Sequence, residues 1–151
     1  MGADFDGDKK PDLAVANNGS STVSVLRNTA NLPPPFVTRE KPNKGETGVA
    51  RNTNVTATFS RPMDPSTINT STVTMKMGKK KVPVAVSCDS SCTTVTLDPF
   101  PSDPSQILAA HTKFKVTITT GAKDLAGTAL DQNFSTKGNQ AMVWTFTTGS
   151  S

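Results

Sequence analysis

The sequence predicts an all-β protein, a sandwich of antiparallel sheets, on three observations. Apolar residues alternate with threonine or serine over short stretches, as in Val55-Thr56-Ala57-Thr58-Phe59. That period of two belongs to a strand with one buried face. Turn residues interrupt the stretches repeatedly, with Pro 11 and Gly 10 in a chain of 151 residues. Short strands between such signals read as a sandwich or barrel. Hydrophobic residues are 34%, aromatics 5%, and tyrosine is absent. The core is therefore modest and suits short strands better than long amphipathic helices.

In chain order, the first feature is Asp-Phe-Asp-Gly-Asp-Lys-Lys-Pro-Asp-Leu at positions 4–13. Calcium takes about six to eight oxygen ligands at roughly 2.3–2.6 Å. Alternate residues of a tightly wound loop point inward, and Gly7 permits the sharp turn. The expected ligands are Asp4, Asp6, Asp8 and Asp12, with the Lys10 carbonyl as the backbone oxygen and water filling the rest. A solvated acidic turn is the competing reading. Leu13-Ala14-Val15-Ala16 and Val23-Ser24-Val25-Leu26 then alternate around Asn17-Asn18-Gly19-Ser20, which is a β-hairpin pattern. Thr29 to Phe36 includes Pro33-Pro34-Pro35, a stiff polyproline spacer and the expected domain boundary.

From Phe36 onward the chain reads as one sandwich of about seven strands. Phe36-Val37-Thr38 opens the first strand, Pro42–Gly45 is a turn, and Gly48-Val49-Ala50 is a short second piece of that edge. Asn54–Ser60 is the best strand, stopped by Pro62 and Pro65, which cannot donate to a ladder. Asp64 can cap a single helical turn with Pro65 at its first position and Ile68 plugging the core. Ser71–Met77 is a strand with Val73, Met75 and Met77 on one face. Val82–Cys88 and Cys92–Leu97 pair around Asp89-Ser90-Ser91. Asp98–Ser105 is a proline-rich crossing. Thr112–Thr120 turns Phe114, Val116 and Ile118 inward. Gly121–Gly127 is a compact turn expected to return Leu125 to the core. Gln140–Thr148 closes the fold with Met142, Trp144 and Phe146 on one face. Phe59, Val95 and Leu97 complete the expected core.

Two stretches resemble known families. "DFDGDKKPDLAVANNGSSTVSVLRN" is similar to one FG-GAP repeat, the calcium-loop repeat of integrin-like β-propellers. Residues 1–29 are accordingly expected to be the tail of a preceding propeller, a partial repeat carrying the calcium loop. Because one hairpin holds that loop from one side only, its affinity is expected near 10⁻⁴–10⁻³ M, about the weak extracellular range, or below it. Residues 30–35 are the linker and 149–151 a tail. "NKGETGVARNTNVTATFSRPMD", "TTVTLDP", "TKFKVTITTGAKDLAGTAL" and "WTFTT" resemble the bacterial Ig-like domains of S-layer and other surface proteins, over residues 36–148. The family usually has Asn where this chain has Thr128, whose hydroxyl is expected to bond a nearby backbone group. The resemblance implies an Ig-like Greek-key β-sandwich, outside the cell or at its surface.

Candidate chemistry is thin. His111 is the only histidine, and no Gly-x-Ser-x-Gly elbow accompanies it. Cys88, Cys92 and His111 make a poor zinc set. Asp98, Asp103, Asp124 and Asp131 sit beside turn residues with no spacing that defines an acid/base pair. Trp144 is in phase with Met142 and Phe146, so it reads as core rather than a sugar platform. Cys88 and Cys92 flank a three-residue turn, so they can meet as a disulfide in an oxidising compartment; a reducing one would leave two thiols. The net charge is +4. Lys79-Lys80-Lys81 lacks the broad basic face and interleaved aromatics of a nucleic-acid binder and reads as a solvated turn or guarded edge. No apolar run is long enough to span a bilayer. Met1, followed at once by Gly-Ala-Asp-Phe-Asp, reads as a start inside a longer chain. The expectation is a monomeric, non-catalytic structural or adhesion module whose partners are neighbouring domains of a parent protein. The alternatives are a glycan- or protein-binding module, or an accessory domain of an extracellular hydrolase.

Overall fold

The structure, a computed structural model, describes residues 3–5, 11–26, 32–103 and 105–151. The chain divides into two compact units, Met1–Pro33 and Pro34–Ser151.

In the first unit, β1 (Leu13–Asn17) and β2 (Thr22–Leu26) pair antiparallel, with Leu13 opposite Leu26 and Asn17 opposite Thr22. Ser21 takes the left-handed conformation in the turn, at φ 53°. Asn17 Nδ2 donates to the Ser24 hydroxyl at 2.7 Å and to that of Thr22 at 3.2 Å. Leu13, Val15, Val23, Val25 and Leu26 are all exposed.

The second unit is a sandwich of two four-stranded sheets. Its strands are β3 (Val37–Lys41), β4 (Val55–Phe59), β5 (Val73–Met77), β6 (Lys80–Val82), β7 (Val84–Cys88), β8 (Thr94–Pro99), β9 (Lys113–Ile118) and β10 (Met142–Thr147). One sheet has the order β10-β9-β5-β6 and the other β3-β4-β8-β7, every pairing antiparallel. The alternation behaves as expected. Val55, Ala57 and Phe59 are buried while Thr56 and Thr58 are half-exposed. Val73, Val95, Leu97, Phe114, Val116, Ile118, Trp144 and Phe146 all lie in the same core. Phe114 and Phe146 stack with centroids 5.5 Å apart. Among the described residues the Trp144 indole N–H has no hydrogen-bond partner, so that side chain stabilises by packing.

Four expectations need correction. There are eight strands in the sandwich rather than about seven, because Pro83 splits the stretch expected as one strand, Val82–Cys88. Val82 pairs with Met75 in one sheet, and Val84 pairs with Pro99 in the other. Proline has no N–H for a ladder, so the chain changes sheets there. Cys92 is not in a strand: the residue opposite Cys88 is Val95, and Cys92 sits in the intervening loop at φ 50°. Leu125 is 64% exposed. Ala122 and Leu130 fill the core on either side, and the turn between them folds around the Asp124 carboxylate, which leaves Leu125 at its tip. Thr128 joins that turn through its backbone, donating to Asp124 Oδ1 and accepting from the Asp124 N–H.

The lysine run makes a hairpin. Gly78, at φ 59°, and Lys79 form a two-residue turn between Met77 and Lys80. Glycine at the first central position suits the II′ geometry that matches strand twist. Lys80 and Lys81 then lie on the edge strand β6, and Lys81 Nζ donates to the Thr70 carbonyl at 3.0 Å.

The sandwich is entered at one pole and left at the other. β3 begins beside the end of β4, with Val37 opposite Phe59. Gln132, in the loop that leads to β10, brackets Val37 through both halves of its side-chain amide. β10 runs away from that pole and ends at Thr147, beside Lys113. Thr148, the residue after it, pairs in parallel with Val49.

Candidate functional site

The expected metal ligands are only partly described. Asp6, Asp8 and Lys10 lie outside the described residues. Asp4 is exposed and Asp12 is buried, and an antiparallel bridge joins Ala3 to Asp12. Asp12 N–H donates to the Ala3 carbonyl at 2.7 Å, and Phe5 N–H donates to Asp12 Oδ2 at 2.9 Å. The bridge thus brings Ala3 and Asp12, on either side of the aspartate-rich stretch, together. Among the described residues no group of three or more His, Cys, Asp or Glu side chains is placed to hold a metal ion.

Cys88 and Cys92 are disulfide-bonded, with Cα atoms 4.8 Å apart. The bond ties the end of β7 to the loop that follows. Asp89 organises that loop: its Oδ1 accepts from Thr93 N–H at 2.7 Å and Thr94 N–H at 3.2 Å, and its carbonyl from Cys92 N–H at 2.8 Å. His111 is an exposed loop residue at φ 48°.

The aspartates divide sharply. Asp64 caps the 3-10 turn Pro65–Thr67 by accepting from Ser66 N–H. Asp131 Oδ1 accepts from Asn133 and Gln140 N–H, both at 3.0 Å. Asp124 accepts from Ala126 and Thr128 N–H on one oxygen and from the Arg61 guanidinium at 3.3 Å on the other. Asp103 accepts from the Ser105 hydroxyl and N–H and from the Gln106 amide. Those bonds, the Ser105 hydroxyl first and the Gln106 amide next, hold its carboxyl below the usual carboxylate value. Each of these aspartates, like Asp89, satisfies backbone groups that its loop would otherwise leave open.

Asp98 does not. It lies at the end of β8, at the pole where β10 ends, and opens onto a cleft of about 300 Å³. Arg51, Asn52, Asn54, Phe100 and Gln106 share that cleft. Val55 pairs with Leu97, which sets Asn54 and Asp98 next to each other at the two strand ends. Arg51 is held from the β8–β9 crossing: its Nε donates to the Leu108 carbonyl at 2.6 Å, and Leu108 N–H returns a bond to the Arg51 carbonyl at 2.9 Å. Phe100 sits at φ 58°, between its own N–H bond to Pro83 and the Asp103 N–H bond to its carbonyl. A bulky residue in the left-handed region is a strained outlier that neighbours must hold. Sequence reasoning placed Asp98 among unpaired turn aspartates and did not see this cleft. Arg51–Asn54 and Asp98–Gln106 are far apart along the chain, and only strand pairing brings them together.

The bacterial Ig-like domain family matches residues 32–148, beginning four residues before the expected start. Solved structures of similar fold include the surface layer protein SbsC, domains 1–6, at 18% identity and TM-score 0.54, over 79% of this chain and 14% of that one. PcoC, a methionine-rich copper resistance protein from Escherichia coli, is 14% identical with TM-score 0.53, over 77% of this chain and 99% of that one. CopC from Methylosinus trichosporium OB3b is 14% identical with TM-score 0.52, over 76% and 93%. At these identities the likeness is one of fold. No curated protein matches the sequence significantly. The family match covers most of the chain and coincides with the eight-stranded sandwich, and the chain belongs to the bacterial Ig-like domain family.

Proposed function

We propose that this chain is a non-catalytic structural module of a larger extracellular or cell-surface protein, a spacer that transmits tension from pole to pole. One observation carries the reading. The segment after β3 runs parallel to the end of β10 and is joined to it by backbone bonds: Gly45 N–H to Thr145 O, Thr147 N–H to Glu46 O, Val49 N–H to Thr147 O and Gly149 N–H to Val49 O, at 2.7–3.1 Å. The chain enters at the opposite pole, so pulling on the two ends loads these bonds along the strands. Bonds loaded in that direction share the force and break together. The S-layer resemblance supports a surface location, and no described helix is long and apolar enough to cross a membrane.

Pulling the full chain through handles at both ends tests the reading. The expected result is one cooperative rupture of the sandwich, with a gain in length on the order of 400 Å, at about 3.3–3.6 Å per residue. Val49→Pro, which deletes one of the bonding N–H groups, lowers the rupture force. Gradual extension at low force would sink the load-bearing reading.

The N-terminal loop supports a second reading, a calcium-binding FG-GAP element, because the Ala3–Asp12 bridge brings the ends of the aspartate-rich loop together. Asp4, Asp6, Asp8, Asp12 and the Lys10 carbonyl would supply the oxygens, and calcium would offset the repulsion between the carboxylates. Calcium titration followed at the amides of residues 4–12 should show a local response, lost in the Asp4→Ala, Asp8→Ala double variant. The main melting transition should not move with chelator. A shift of many degrees would show that the metal stabilises the sandwich too.

A further inference from the structure

We propose that the cleft around Asp98 is a binding site for a neutral saccharide. Its chemistry is the reason. Among the described residues the Asp98 carboxylate has no hydrogen-bond partner, whereas Asp64, Asp89, Asp103, Asp124 and Asp131 are all committed to backbone groups of their own loops. Asn52 and Asn54 line the same cleft and are exposed, and among the described residues neither side-chain amide is bonded to another protein group. Sugar hydroxyls each donate and accept. A carboxylate accepts, an amide does both and a guanidinium donates, so Asp98, Asn52, Asn54 and Arg51 together match a pair of neighbouring hydroxyls.

The rest of the cleft fits the apolar face of a sugar ring. Phe100 and the prolines beside it, Pro99 and Pro101, line one side. The φ of 58° sets Phe100 apart from the strand it follows and keeps it at the cleft. The volume, about 300 Å³, is at the small end of ligand pockets. It suits a mono- or disaccharide rather than a larger ligand. Charge argues against the other small ligands. A divalent cation needs several carboxylate or carbonyl oxygens, and here a single carboxylate shares the cleft with a cationic side chain, Arg51. A polyanion would meet Asp98.

The site is independent of the spacer reading, since a load-bearing module need not bind sugar. The test is a titration of the full chain with maltose, cellobiose and N,N′-diacetylchitobiose, followed by amide chemical shifts, with calcium chloride alone as a parallel arm. At least one sugar should shift the amides of residues 51–54 and 98–106 in a saturable way, weakly, near the millimolar range. Asp98→Ala should weaken that binding about tenfold or more, the change expected for losing bonds to a charged group. Asn52→Ala should weaken it by less. Both positions lie at the cleft rim, so both variants should melt with the parent chain. No response to any of the three sugars, shifts centred elsewhere, or a response that Asp98→Ala and Asn52→Ala leave intact would overturn the proposal. Shifts of the same amides with calcium chloride but not with sugar would also overturn it, in favour of a cation.

Discussion

The hairpin of the first unit and the β4 strand of the second share a sequence pattern and differ in burial. β1 and β4 are both five residues long, and both alternate. In β4 the alternate residues Val55, Ala57 and Phe59 are buried. In β1 and β2 the apolar residues on both faces are exposed, and Val23 is 66% exposed. Period two therefore specifies a strand, but burial needs a second sheet to pack on. β4 has paired strands on both sides and an opposing sheet, whereas the hairpin has one partner strand. The same valine stabilises by roughly 1.5–3 kcal/mol where it is fully buried and by little where it is not.

The sharpest break in that comparison is truncation. Phe59→Ala and Trp144→Ala should each cost about 3–5 kcal/mol in urea unfolding. Val23→Ala in the hairpin should stay within about 0.5 kcal/mol. Trp144→Phe should cost far less than Trp144→Ala, because the indole N–H has no partner among the described residues to lose. A large effect at Val23 would mean that the hairpin is covered in solution and that the contrast fails.

The next largest effect sharpens the comparison within the sandwich. Asp124→Ala removes the acceptor of Ala126 and Thr128 N–H and the partner of Arg61. It should cost about 2–3 kcal/mol, the scale of buried groups left unsatisfied. Asp98→Ala, which leaves no backbone group open, should cost less than about 0.5 kcal/mol. Equal losses at the two positions would show that Asp98 holds its loop as the others do.

Breaking the Cys88–Cys92 bond, by reduction or as Cys88→Ser with Cys92→Ser, should cost roughly 2 kcal/mol for so short a loop. Mass measurement of the unreduced protein gives the redox state directly, and two free thiols would remove the bond from the account.

The smallest effect is at Asp103. Its carboxyl is held below its ordinary value by the Ser105 hydroxyl, the Gln106 amide and the Ser105 N–H. A depressed carboxyl contributes stability above its unfolded value and loses it as pH falls through the folded one. Faster hydrogen exchange at Ser105 and Gln106 is therefore expected below about pH 4, with the core amides unchanged. Loss of core protection in the same range would place the acid-sensitive group elsewhere.

Much of this was legible in the sequence, and the reasons are local. Alternation marked β4, β5, β9 and β10 and their buried faces, since side-chain direction in a strand repeats every two residues. The Asp64-Pro65 start of the 3-10 turn was also legible, because a cap and its proline are neighbours in sequence. The partners of those strands were not. Pro83 announces a break, but that the chain changes sheets there depends on Met75 and Pro99 waiting in two different sheets. Leu125 looked like a core residue until the turn closed around Asp124 and Leu130 took the place. The disulfide spacing was readable, but Val95 rather than Cys92 stands opposite Cys88. The Asp98 cleft is the extreme case. Nothing near Asp98 in the sequence distinguishes it from the loop-holding aspartates, because its neighbours in the cleft come from the start of β4 and the crossing after β8. Local chemistry determined which segments are strands and which residues cap turns. Pairing between segments far apart in the chain decided sheet order, the two poles and the cleft that Asp98 shares with Arg51 and Asn54.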